Sequence, residues 1–269
     1  MNHENSQAPL LANLMLEMFT PLAKTHFALA LPWLMSLPKG DGHSVLVLPG
    51  MLADDEAMRH VSWFLRSRGY KVVNWGKGRN RGPRPGVFDL LLAKLKAEMR
   101  ATGRKVSLVG WSLGGTLARV LANRHPELVR SVVTLASPHS GDPKAGHLNW
   151  LYTLATGHAP GSHTSFLREY SRTPDVPLTS VYTRLDGVVP WRSAYQEPGP
   201  QCDSVEVCTT HGAMATDPLV MLVLADRLSQ PENGWQPFEP PWWFSFANGS
   251  AFRRREMLPD ARRLPAPAH

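Results

Sequence analysis

The sequence predicts an α/β chain with a doubly wound, mostly parallel sheet. Three observations point there. Short apolar runs such as Ser44–Leu48 and Val129–Leu135 read as strands buried on both faces. Longer stretches with apolar residues three and four apart lie between them and read as helices. The run Val106-Ser107-Leu108-Val109-Gly110-Trp111-Ser112-Leu113-Gly114-Gly115 carries a strand straight into a glycine-framed serine and then a helix. That last run has the form of a nucleophile elbow. The turn is so tight that bulk two residues to either side of Ser112 would clash, which is the work of Gly110 and Gly114.

The elements follow in order. Residues 1–40 form an apolar, helical leader, in which Leu10, Leu11, Leu14, Met15 and Met18 have helical spacing. It reads first as a helix packed on the domain or on a second subunit. Its Leu-, Met- and Phe-rich face keeps an interfacial membrane anchor as the alternative. Ser44–Leu48 is a strand ended by Pro49-Gly50. A helix is expected from about Asp54, as N-cap, to Arg68, then a strand over Tyr70–Trp75. Gly76–Gly86 is a Gly-, Pro- and Arg-rich loop without the G-K-[ST] ending of a phosphate loop. Val87–Arg100 is an amphipathic helix. The elbow strand is expected over Lys105–Val109, with its helix over Thr116–Arg124.

After the strand Val129–Leu135 the pattern changes. From about 139 to 177, Gly, His, Ser and Pro alternate with bulky apolar residues, which reads as an inserted cap over the site. Leu178–Arg184 and Val205–Cys208 are expected strands, and Pro218–Leu228 is a helix. The domain thus runs over 43–230, and 231–269 is a Pro-, Trp- and Arg-rich tail.

The totals bound the class. A chain of 269 residues is long enough for one large α/β domain, and 43% hydrophobic with 19% charged residues fits a soluble globular protein. The net charge of +7 is scattered, without the interleaved basic and aromatic pattern of a nucleic-acid module, so no nucleic-acid partner is expected. Cys202 and Cys208 lie six positions apart. Along a strand that is about 20 Å, too far for a disulfide. Two thiols, no convincing signal peptide and no spanning apolar stretch lead to an expectation of a cytoplasmic protein, with peripheral membrane contact through the leader left open.

Three residue types stand at predicted strand ends in one order. Ser112 follows the elbow strand, Asp186 the next-to-last strand and His211 the last. A serine hydroxyl needs an adjacent base, usually histidine, held in its tautomer by a carboxylate. Asp175 and Asp203 are rival acids that directly follow no core strand. His139, His158 and His163 fit the order less well than His211.

On these residues the chain resembles the α/β-hydrolases, and among them bacterial lipase- and esterase-like members. The matching stretches are Val47-Leu48-Pro49-Gly50-Met51, Gly110–Gly115, Thr183–Pro190 and Thr210–Met214. The resemblance implies Ser112 as nucleophile, Asp186 as acid and His211 as base, with the backbone amides of Leu113 and Met51 as oxyanion hole. Many members carry His-Gly where this chain has Pro49-Gly50, but the contact at that loop is through backbone. It implies cleavage of a carboxylic ester through an acyl-enzyme, on a small-molecule or lipid ester, with no cofactor and no metal. Acyl transfer or thioester cleavage would use the same three residues. A non-catalytic scaffold on this fold is the reading from another class. A homo-oligomer is left open.

Overall fold

The computed structural model describes residues 9, 11–140 and 164–248. Six strands in those residues form one sheet: β1 (Ser44–Leu48), β2 (Lys71–Asn74), β3 (Val106–Trp111), β4 (Val129–Leu135), β5 (Leu178–Tyr182) and β6 (Cys202–Glu206). Their order is β2-β1-β3-β4-β5-β6, and every neighbouring pair is parallel. The chain starts at β1, steps outward to β2, then returns past β1 to β3 and runs on to β6. Strand order therefore reverses between β1 and β3, and ligands of open α/β sheets bind at the carboxyl ends of the strands at such a point.

The helices that cover the sheet are those the apolar spacing requires. They include α3 (Arg59–Ser67), α4 (Val87–Thr102), α5 (Leu113–Arg124) and, later in the chain, Pro218–Ser229. Val61, Phe64 and Leu65 of α3, Leu91 and Leu95 of α4, and Leu117, Val120 and Leu121 of α5 are all fully buried. Leu46, Leu48, Leu108 and Val132 of the central strands form one core with the buried residues of α4 and α5. Beyond α5, the helix Thr164–Ser171 precedes β5. Residues 141–163, most of the expected cap, lie outside the described residues, as do His158 and His163.

Three boundaries differ from expectation, each for a local reason. The helix expected from Asp54 starts at Arg59. Asp54 accepts a hydrogen bond from the Glu56 amide, and Asp55 reaches across to the Gly76 amide, so both side chains hold a turn instead of a helix start. The elbow helix begins at Leu113, immediately after Ser112, instead of at Thr116. The last strand is Cys202–Glu206 instead of Val205–Cys208. Its polar residues pair sideways: Asp203 accepts from Thr179 Oγ1 at 2.6 Å and from the Phe238 amide at 2.7 Å. Both cysteines are free.

The leader forms α1 (Leu11–Leu16), a 3-10 turn (Glu17–Phe19) and α2 (Thr20–Leu34). The packing of α1 reverses what its apolar spacing suggests. Leu11, Met15 and Met18 are 71, 68 and 78% exposed, while Asn13 is buried. The apolar anchoring to the domain comes later, through Ala23, Phe27 and Leu34 of α2. No helix among the described residues is long and apolar enough to cross a membrane.

The described chain falls into two compact units, the first ending at Phe238 and the second starting at Glu239. The first includes Pro231–Phe238, where Arg227 donates to the Gln236 carbonyl and lies over the Phe238 ring. The second contains the one-turn helix Phe244–Ala247, next to Trp243.

Candidate active site

The elbow forces the geometry of its serine. Ser112 has φ 52° and ψ −123°, a left-handed backbone that a side-chain-bearing residue adopts only under strain. The fold permits it because the flanking positions carry no side chain. A Cβ on Gly110 would lie 2.4 Å from the Gly115 nitrogen, and one on Gly114 would lie 2.2 Å from the Leu48 carbonyl oxygen. A Cβ on Gly115 would lie 2.0 Å from Ser137 Oγ. The end of β1, the end of β3 and the first turn of α5 are therefore in backbone contact. The first amides of α5 have no partner within their own helix, and the positive end of the helix lies at Ser112.

Asp186 and His211 are brought together by the pairing of β5 with β6. Both are buried, and His211 Nδ1 lies 2.8 Å from Asp186 Oδ2. The other carboxylate oxygen, Oδ1, accepts from the amides of Val188 at 2.8 Å and Val189 at 2.6 Å. Every side of the carboxylate is thus occupied, and its direction is fixed. With Nδ1–H given to Asp186, the imidazole presents Nε2 as its basic nitrogen. Burial opposes charging of His211. The negative charge of Asp186, its hydrogen bond and the charge of Glu17 together outweigh burial, and the net shift of the His211 pKa is upward.

Trp111 joins this pair to the elbow. It immediately precedes Ser112, its Nε1 donates to the His211 carbonyl at 3.1 Å, and its ring centroid lies 5.6 Å from that of His211. Gly50, on the loop after β1, leaves room for the same indole, since a Cβ there would meet the ring at 3.1 Å. The His211 loop and the loop after β1 thus both meet the indole at the end of β3.

The Met51 loop is held by a residue that the sequence reading left in a plain Arg-rich loop. Asn80 is wholly buried. Its Nδ2 donates to the Pro49 carbonyl at 2.7 Å and its Oδ1 accepts from the Gly82 amide at 3.0 Å. Its backbone pairs with Leu52 and Ala53 at 2.7 and 2.8 Å.

The rival residues have other work. Asp203 is bound to Thr179, the Phe238 amide and Arg227, and Asp175 pairs with Arg172 at the surface. His139 is buried, with its amide donating to the Ser193 carbonyl at 2.7 Å. Burial first, and then the charge of Arg119, push its pKa down to about 3. Such a histidine stays neutral at ordinary pH. Among the described residues no group of three His, Cys, Asp or Glu side chains is placed to hold a metal.

Glu17, Asn13 and Thr20 of the leader also reach these loops, and the sequence reading assigned them nothing. Only their spacing, a polar stripe at i, i+4 and i+7 in an otherwise apolar segment, could have signalled them.

A parallel sheet with its order reversed between β1 and β3, and a strained serine at the carboxyl end of β3, define the class of α/β-hydrolase folds. Residues 88–159 match the family described as alpha/beta hydrolase fold. Triacylglycerol lipases of Pseudarthrobacter phenanthrenivorans and Burkholderia plantarii are each 37% identical to this chain over 109 residues. Those segments are 37% of this chain and 34% and 30% of the two lipases, so the chain spans about a third of the length of the relatives it matches. Among solved structures, Aspergillus fumigatus lipase B superposes with a TM-score of 0.53 at 16% identity, over 74% of this chain and 56% of that one. A mature Bacillus licheniformis lipase gives 0.52 at 18%, over 72% and 95%. The chain has the α/β-hydrolase fold, and over the matched segment it is similar to triacylglycerol lipases.

Proposed function

We propose that the protein hydrolyses carboxylic esters through an acyl-enzyme on Ser112. The observation that carries this reading is the buried His211–Asp186 pair, 2.8 Å apart, tied through Trp111 to the elbow that carries the serine. Ser112 Oγ attacks the ester carbonyl as His211 Nε2 takes its proton. The negative charge that develops on the carbonyl oxygen is received by the amides of Leu113 and Met51, each such donor worth about 3 kcal/mol in the transition state. Collapse expels the alcohol, which takes the proton from His211. Water then enters by the same route, with His211 again as base, and releases the acid. Asp186 keeps the imidazole in the tautomer that both half-reactions need. The lipase relatives and the apolar residues of the 139–177 segment support an ester with an apolar acyl group.

The test is labelling with a fluorophosphonate, which needs an activated serine and an oxyanion site but no knowledge of the substrate. A single adduct by intact mass on the wild type, absent from Ser112→Ala, is expected. No adduct on folded wild type would overturn the reading and put the non-catalytic scaffold in its place.

A further inference from the structure

The leader meets the site through backbone, not through its apolar side chains. Glu17 Oε1 accepts from the His211 amide at 2.8 Å and from the Gly187 amide at 3.2 Å. Its Oε2 accepts from the Gly212 amide at 2.9 Å and from Thr20 Oγ1 at 3.4 Å. One carboxylate therefore binds the loop that carries Asp186 and the loop that carries His211, each at or beside the functional residue. Two neighbours extend the same face. Asn13 Nδ2 donates to the carbonyls of Arg184 at 2.9 Å and Asp186 at 3.4 Å, and Thr20 Oγ1 lies 3.2 Å from Thr210 Oγ1.

The glycines after the acid and the base fit this contact. A Cβ on Gly187 would lie 2.6 Å from the Asn13 carbonyl oxygen and from Leu14. One on Gly212 would lie 2.9 Å from Thr20 Oγ1 and 3.4 Å from Glu17 Oε2. Both glycines have ordinary backbone angles, since neither is among the positive-φ residues. Their lack of a side chain is explained by the approach of the leader, not by a turn.

We propose that Glu17 is a positioning residue for the reaction proposed above, on which this role rests. It ties the acid loop to the base loop and sets a second negative charge beside the imidazole. The charged groups that face His211 are Asp186, from the loop after β5, and Glu17, from the leader. Asp186 fixes the imidazole from its Nδ1 side, and Glu17 fixes the backbone from which the imidazole hangs. Loss of the tie lets the two loops move apart by fractions of an ångström, and misplacement on that scale costs rate more than binding.

The test compares Glu17→Gln with wild type and with Met18→Ser, a change at an exposed neighbour that touches neither loop. The measurements are kcat and KM on a p-nitrophenyl ester, the pH dependence of kcat/KM, and the titration of His211 by NMR on 15N-histidine-labelled protein. For Glu17→Gln the expected result is a fall in kcat of roughly 10- to 100-fold with KM nearly unchanged. The acid limb of the pH profile and the His211 titration should both move to lower pH. Met18→Ser should match wild type in all three. A Glu17→Gln protein that melts earlier but keeps kcat and the acid limb would overturn the role. If that variant does not fold, Glu17→Asp serves. It keeps the charge and shortens the reach, so kcat should fall while the acid limb stays, and an unchanged kcat again overturns the role. The fluorophosphonate separates the two levels. A wild type that forms no adduct removes the hydrolase reading and this role with it, whereas wild type and Glu17→Gln labelling at equal rates remove only the role of Glu17.

Discussion

Replacing Asn80 by alanine isolates the support of the Met51 loop from the chemistry at Ser112. The substitution removes two hydrogen bonds and leaves the buried Pro49 carbonyl and the buried Gly82 amide without partners. A buried polar group stripped of its partner costs about 1–3 kcal/mol, so the pair sets a loss of about 3 kcal/mol, within reach of a urea melt. The second effect is on rate. The loop that Asn80 holds carries the Met51 amide, and a misaligned oxyanion donor forfeits up to about 3 kcal/mol, or roughly 100-fold in kcat. The variant should therefore lose stability and turnover together, with KM little changed, when kcat is measured on an activated ester well below the melting range. A full loss of stability with wild-type kcat would refute the reasoning. The Met51 amide would then lie outside the oxyanion site, and Leu113 would need another partner there.

Three further expectations follow from the site and the core. Asp186→Asn should lower kcat by roughly 10⁴-fold by admitting the wrong histidine tautomer. Asp175→Ala should change neither rate nor melting temperature, and Asp203→Asn should lower stability but not rate, all read from esterase assays and thermal melts. Stability should fall as pH falls from about 6.5 towards 3, because His139 is held neutral in the fold while the unfolded chain takes up a proton at the ordinary histidine pKa. Each such histidine sets a slope of about 1.4 kcal/mol per pH unit. Burial lowers the pKa of His43 as well, so it adds in the same sense, and urea melts of His139→Gln between pH 4 and 6 should show a shallower slope than wild type. Ser112→Gly should abolish labelling yet melt above wild type, because glycine accepts φ 52° where serine is strained by about 1–3 kcal/mol.

What could be read from the sequence was what is local in it. The elbow is ten consecutive residues; Gly110 answers to a steric contact within it, and Gly114 to the close approach of the end of β1. Ser112, Asp186 and His211 could be ordered because each follows a short apolar run. The boundaries that moved did so where polar side chains had tertiary employment. Asp54 reads as a helix N-cap until its neighbour Asp55 is seen to bind the Gly76 amide. The expected strand began only at Val205, and Asp203 found its place in β6 through Thr179 and the Phe238 amide. The leader was legible only in part. Leu11, Met15 and Met18 are the obvious stripe, yet the side of α1 that docks carries Asn13, and Glu17 and Thr20 continue it. Its partners are backbone amides and carbonyls, which have no sequence signature. Asn80 was equally silent, since nothing in a Gly-, Pro- and Arg-rich loop tells which asparagine points inward.

The bond between Glu17 and the His211 amide joins positions 194 apart, and that span has a consequence for the order in which the molecule is made. Glu17 leaves the ribosome 194 positions before the residue whose amide it binds. Phe27 can meet His60 and Trp63 early, but until the acid and base loops are made the polar side chains of Asn13 and Glu17 lack their partners there. Closing so long a loop is also the slowest kind of contact to form. Ser112 and its helix precede β6 in the chain, and the acid and base loops are tied together only once β6 is out and the leader has returned to meet it.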